Sequence, residues 1–165
     1  MNVGKLAGEM VRVGTRGSQL ARTQTGHVIE QLKSFGFEVQ EVIITTRGDQ
    51  QQTVPIAQIG SDGVFVRELE KALLEERIDM AVHSLKDLPT AMTPGLDFAC
   101  TPRRATPFDV LVSRDGVRLR DLPKDASVGT ASIRRRIQVQ AVRPDLQIVA
   151  IRGNVDSRLK RLDEG

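Results

Sequence analysis

Three times along this chain a strand-like run ends in a short polar turn, and a helical stretch follows at once. The turns are Thr15-Arg16-Gly17-Ser18, Thr130-Ala131-Ser132-Ile133-Arg134-Arg135 and Arg152-Gly153-Asn154. Strands that alternate with helices in this way predict an α/β fold with a largely parallel sheet, because a parallel neighbour is reached only through a crossover. In the first half, Val11 to Thr15 reads as a strand, and a helix follows with Leu20, Thr23, Val28, Leu32 and Phe35 at helical spacing and Gly36 as its stop. A second strand spans Phe37 to Thr46, a polar loop Arg47 to Gly63, an amphipathic helix Val64 to Arg77, and a buried strand Ile78 to His83. Further strands are expected at Leu96 to Cys100 and Asp109 to Ser113, with a hinge at Pro102-Arg-Arg-Ala-Thr-Pro107. The second half reads as strand Ala126 to Gly129, helix Ser132 to Val142, strand Leu146 to Ile151 and a helix from Asn154.

Composition narrows the function classes. Hydrophobic residues make up 39% of the 165, enough for a core, yet there is no Trp, no Tyr and only five Phe. Stacking platforms for nucleic-acid bases need aromatic rings, so no nucleic-acid partner is expected. The net charge of +3 (24 basic minus 21 acidic) is modest, but its Arg component gathers late, at Arg134, Arg135, Arg136, Arg143, Arg152, Arg158 and Arg161. Arg suits fixed, bidentate contacts to carboxylate or phosphate. The single Cys100 excludes an internal disulfide framework, and with only His27 and His83 no metal site is expected. No run is apolar enough for a secretory signal or a membrane span, so a cytoplasmic protein without a membrane partner is expected.

In a parallel α/β fold the helix starts line the carboxyl edge of the sheet, where ligands usually bind. Their unpaired N–H groups and dipole attract anions. Three such starts with Arg and a Ser or Asn cap favour a ligand carrying several carboxylates or phosphates. The nucleotide signatures G-x-x-x-x-G-K-[ST] and G-x-G-x-x-G are missing, and Gly60-Ser61-Asp62-Gly63 carries an acid where phosphate would want a base. A second candidate is His83 to Pro89, at the end of the expected buried strand. Asp87 there reads either as a structural cap or partner of Lys86, or as a carboxylate that trades protons with a substrate. Composition and spacing leave both readings open.

Six segments taken together carry a family resemblance. They are Gly14-Thr-Arg-Gly-Ser-Gln-Leu-Ala21, Thr46-Arg-Gly-Asp49, Gly63-Val-Phe-Val-Arg-Glu-Leu-Glu70, His83-Ser-Leu-Lys-Asp-Leu-Pro89, Gly129-Thr-Ala-Ser-Ile-Arg-Arg135 and Arg152-Gly-Asn-Val155. In order and spacing they resemble the porphobilinogen deaminase (hydroxymethylbilane synthase) family from about Val11 onward.

The resemblance implies a transferase of tetrapyrrole and haem biosynthesis that condenses four porphobilinogen molecules into linear hydroxymethylbilane, releasing ammonia. It implies that Asp87 is the catalytic carboxylate, protonating the departing amine, stabilising an azafulvene-like cation and assisting the later deprotonation. By the same resemblance Lys86, Asp87, Ser132, Arg134 and Arg135 hold a covalent dipyrromethane cofactor, and Arg16, Ser18, Gln24, Arg152 and Gly153 bind substrate. Porphobilinogen and its growing polypyrrole chain are the implied partners, and the family is typically monomeric. The implied fold is a periplasmic-binding-protein-like (type II) α/β domain over residues 1–102, lacking its return segment, plus an incomplete second α/β domain over 103–165. A third domain, with the cysteine that holds the dipyrromethane, is expected to be absent. The chain departs from the family pattern at Gly60-Ser61-Asp62-Gly63, where a lysine is usual, at Ala131, where a serine is usual, and at Ala105-Thr106, where an acidic pair is usual. The alternative is a non-catalytic module of the same fold that binds a small polycarboxylate anion.

Overall fold

The structure, a computed structural model, describes residues 10–46 and 66–165. Two units divide it, Met1–Arg103 and Arg104–Gly165. In the first unit, strand β1 (Met10–Thr15) lies between β2 (Glu38–Ile43) and β3 (Met80–Ala81), and both neighbours run parallel to it. β1 takes the centre because Val11, Val13 and Thr15 are all buried, with Val13 fully so. Its register runs from Met10 opposite Glu38 to Thr15 opposite Ile43 on one side, and pairs Val13 with Met80 on the other.

Helix α1 (Gln19–Ser34) makes the crossover from β1 to β2. Ser18 caps its start, the Oγ accepting the Ala21 N–H at 3.4 Å. It ends in a Schellman motif: Gly36, at φ +86°, donates to the Lys33 carbonyl and Phe37 donates to that of Leu32. The helix buries only part of the face its hydrophobic spacing predicts: Val28 and Leu32 are half-buried, but the ends of the stripe are not. Leu20 and Phe35 stay 49% and 79% exposed, and Thr25 is the residue driven fully into the interior. Its hydroxyl donates to Thr15 Oγ1 at 2.8 Å, so the buried polar pair satisfies itself.

Helix α2 (Arg67–Leu74) precedes β3. Its buried Leu69 and Ala72 form the core cluster with Ile78, and Val42, Ile44, Leu73 and Ala81 pack against it. The expected strand Ile78 to His83 shrinks to a two-residue ladder, extended by the Asp79 N–H on the Arg12 carbonyl and the Val82 N–H on the Gly14 carbonyl. Arg12 also clasps the Asp79 carboxylate with Nε and Nη2, at 3.0 and 2.6 Å. The expected loop Arg47 to Gly63, and the Val64 and Phe65 of the expected helix start, lie outside the described residues.

The second unit contains β4 (Ser127–Gly129), α3 (Ile133–Val142), β5 (Gln147–Val149) and α4 (Val155–Glu164), with β4 and β5 parallel. Val128 and Leu146 are its buried hydrophobic residues. Arg143 sits inside the fold rather than in a basic surface cluster. It grips Asp145 through Nε and Nη2 and donates to the carbonyls of Leu119, Arg120 and Leu122, so it pins that segment to the turn between α3 and β5. The strands expected at Leu96 to Cys100 and Asp109 to Ser113 are absent. A strand exists only against a ladder partner, and neither segment has one among the described residues, so Val110 and Val112 remain 81% and 55% exposed.

Leu69→Ala empties the middle of the first core and is expected to cost about 2–5 kcal/mol. Equilibrium urea unfolding measures it, and a loss below about 1 kcal/mol would show that the cluster is not the core.

Candidate functional site

Because β2 and β3 both run parallel to β1, three carboxyl ends meet at one edge of the first sheet. The order β2-β1-β3 also makes the chain switch direction across β1, so the carboxyl ends of β1 and β3 flank the switch point at which open α/β sheets usually bind ligands. The residues that leave those two ends are Arg16 and the Val82 to Asp87 segment. They meet: Arg16 Nη1 lies 4.0 Å from Asp87 Oδ2, with the two side chains 19% and 29% exposed. Asp87 sits in a short 3-10 turn, Leu85–Asp87, and its N–H donates to the Ser84 carbonyl at 2.9 Å. Lys86 precedes it in the turn but is exposed and makes no hydrogen bond or ion pair among the described residues. The charge facing Asp87 is therefore that of Arg16.

Two further contacts hold this edge in place. Ser84 Oγ donates to Gln24 Oε1 at 2.9 Å, which latches the Asp87 segment to α1. Thr15 Oγ1 accepts from Thr25 and donates to the Arg16 carbonyl at 3.3 Å, fixing the turn that launches Arg16. His83 is largely shielded, and burial holds its imidazole below the usual histidine range. The charges of Asp87 and Glu70 push the other way, and that of Arg16 adds to the lowering. Sequence reasoning singled out Arg16, Ser18, Gln24 and Asp87, and the fold brings all four to this edge. It missed Ser84 and the Thr15–Thr25 pair, whose partners are distant in sequence and carry no local signature.

The second unit repeats the pattern twice at the carboxyl ends of β4 and β5. Ser132 caps α3 by accepting the Arg135 N–H at 3.4 Å, and its own N–H donates to Thr130 Oγ1 at 3.2 Å. Asn154 caps α4 by accepting the Ser157 N–H at 3.0 Å. Gly153, at φ +109°, forms the turn before it, and a Cβ there would stand 2.8 Å from Ser157 Cβ. Its requirement is thus conformational. Its carbonyl accepts from Arg158 Nε at 2.9 Å, and Arg152 is half-buried beside it.

Arg134 and Arg135 converge on a carboxylate that sequence reasoning did not single out. Arg134 reaches Asp109 with Nη1 and Nη2 at 2.7 and 3.2 Å, and Arg135 with Nε and Nη2 at 3.0 and 2.8 Å. Hydrogen bonds from Arg134 and then Arg135 pull the Asp109 carboxyl from 3.8 down to about 2. A carboxylate whose folded pKa is depressed adds stability that is present above its unfolded pKa and fades as pH falls through the folded one. That window runs from 3.8 down to about 2. The carboxyl carbon resonance of Asp109 is expected to titrate near the low end of it, and Arg134→Leu to move the midpoint upward. An unmoved midpoint in that variant would contradict the contact.

The sequence of this chain is similar to those of known proteins. Residues 11–165 match the family described as porphobilinogen deaminase, dipyromethane cofactor binding domain. The porphobilinogen deaminase of Brevibacillus brevis is 46% identical over 158 residues, which cover 93% of this chain and 50% of that protein. That of Bacillus subtilis is 47% identical over 157 residues, with 93% and 49% covered, and that of Bacillus mycoides 47% over 156, with 92% and 50%. The chain spans about half the length of these curated relatives. With the match running from the first described strand to the last helix, the chain belongs to the porphobilinogen deaminase family.

Proposed function

We propose that this chain supplies the catalytic carboxylate and the carboxylate-binding arginines of a porphobilinogen deaminase, which joins four porphobilinogen molecules into hydroxymethylbilane and releases ammonia. The observation that carries the reading is the meeting of Asp87 with Arg16 at the carboxyl ends of β1 and β3. A carboxyl group at that position can give its proton to a departing amine. The carboxylate left behind stabilises positive charge on the carbon that lost it, and then takes the proton released when the new C–C bond forms. Burial disfavours the charged form of His83, which limits competing positive charge there.

The family's dipyrromethane supplies the primer to which pyrrole units are added. The residues of this chain suit its acid side chains, since Arg134 and Arg135 already grip one carboxylate, that of Asp109. In this reading Lys86, Asp87, Ser132, Arg134 and Arg135 hold the cofactor, while Arg16, Ser18, Gln24, Arg152 and Gly153 hold substrate. The parallel order β2-β1-β3 supports a periplasmic-binding-protein-like (type II) first domain, with residues 103–165 belonging to a second. We read the working protein as a cytoplasmic monomer with no nucleic-acid or membrane partner. No helix among the described residues is long and apolar enough to cross a membrane.

The test is Asp87→Asn in a protein carrying the full family length, with porphobilinogen consumption measured directly. Turnover is expected to fall by about 10²–10⁴-fold, the range for losing a positioned proton-transfer group. Because the family's dipyrromethane is attached covalently through a cysteine, cofactor content is expected to stay near that of the parent even though Asp87 contacts it in this reading. Consumption at the parental rate would sink the assignment. Porphobilinogen bound by the parent but never consumed would point instead to a binding module.

A further inference from the structure

Each of the two guanidinium groups proposed to hold a ligand's carboxylates has one bidentate face occupied from within the chain. Asp109 takes Nη1 and Nη2 of Arg134 together with Nε and Nη2 of Arg135. Gln138 Oε1 accepts a further bond from Arg134 Nη1, at 2.9 Å. A ligand carboxylate can thus reach the faces that turn toward one another on Asp109 only by sharing with that carboxylate or displacing it.

Displacement is cheap here for two reasons. The pair is wet: the side chains of Arg134, Arg135 and Asp109 are 60%, 45% and 37% exposed, and exposed ion pairs exchange readily with ions in solution. The segment bearing Asp109 is also lightly held. It joins no ladder among the described residues, and its neighbours Phe108 and Val110 are 80% and 81% exposed.

We propose that Asp109 is a built-in competitor, which occupies the Arg134–Arg135 fork in the absence of ligand and gives way to an incoming carboxylate. This rests on the reading of those arginines as carboxylate ligands. Being tethered, Asp109 competes at a fixed high local concentration, so it discriminates against weak single carboxylates in favour of ligands that bring several.

Calorimetric titration of the 165-residue chain with tricarballylate, a simple tricarboxylate, tests this. Asp109→Asn and Asp109→Ser are each expected to tighten binding about twofold to fivefold, the scale of an exposed ion pair removed as a rival. The gain should vanish when Arg134→Leu is added. A merely structural role for Asp109 cannot produce tighter binding. If the Asp109 variants bind equally or more weakly while Arg134→Leu still weakens the parent, Asp109 is a scaffold and the competitor idea fails, although the carboxylate site survives. If neither parent nor variant responds to Arg134→Leu, the carboxylate reading itself fails. Should both Asp109 variants misfold, carbon NMR of the parent decides: tricarballylate must shift the Asp109 carboxylate resonance, and an unmoved resonance overturns the proposal.

Discussion

Strand β1 pairs in parallel on both sides, and the placement of every candidate residue in the first unit descends from that. With β2 and β3 in register beside it, the three carboxyl ends have no choice but to share one edge. Val11, Val13 and Thr15 then have to face the interior together, and a slip of one residue would turn all three outward. The last of them, Thr15, is also the root of the Arg16 turn, so the packing that buries the strand aims the guanidinium. The ladder to β3 is only two residues long, yet it delivers the Asp87 segment to the same place.

Arginine does three physically different jobs in this chain. Arg12 with Asp79 secures the start of β3 to β1 through a bidentate contact. Arg143 spends its whole fork on Asp145 and three backbone carbonyls, a role in which lysine, with one compact charged centre, could not replace it. Arg134 and Arg135 instead stay at the surface with a shared counter-charge that solvent can reach. Only the last arrangement leaves a guanidinium pair open to exchange, and a count of basic residues cannot separate the three.

The alternation of strands and helices, the caps Ser18, Ser132 and Asn154, and the stop at Gly36 were all legible in the sequence. These features are local, set by neighbours a few residues apart, and local chemistry is what a single sequence displays. The burial of Thr25 on α1 was not legible, because it enters the interior only through a partner ten residues away that satisfies its hydroxyl. Nor was Asp109, which meets Arg134 across 25 residues of chain. The apolar run Val110-Leu111-Val112 suggested a strand, but apolarity describes a segment's fitness for a ladder and not the presence of a neighbour. At the candidate site the sequence named the residues at the sheet edges, whereas their pairing, Asp87 with Arg16 rather than Lys86, came from topology.

The serine hydroxyls at these edges differ in polarity. Ser18 and Ser132 use their oxygens to receive backbone N–H groups, which keeps each hydroxyl proton available to an anion. Ser84 has committed its single proton to Gln24 Oε1 and can present only lone pairs to a visitor. A carboxylate arriving beside Ser84 would therefore meet repulsion from that oxygen and attraction from the amide –NH2 of Gln24. The latch between α1 and the Asp87 segment thus leaves the Ser84 oxygen an acceptor, opposite in polarity to the Ser18 and Ser132 hydroxyls.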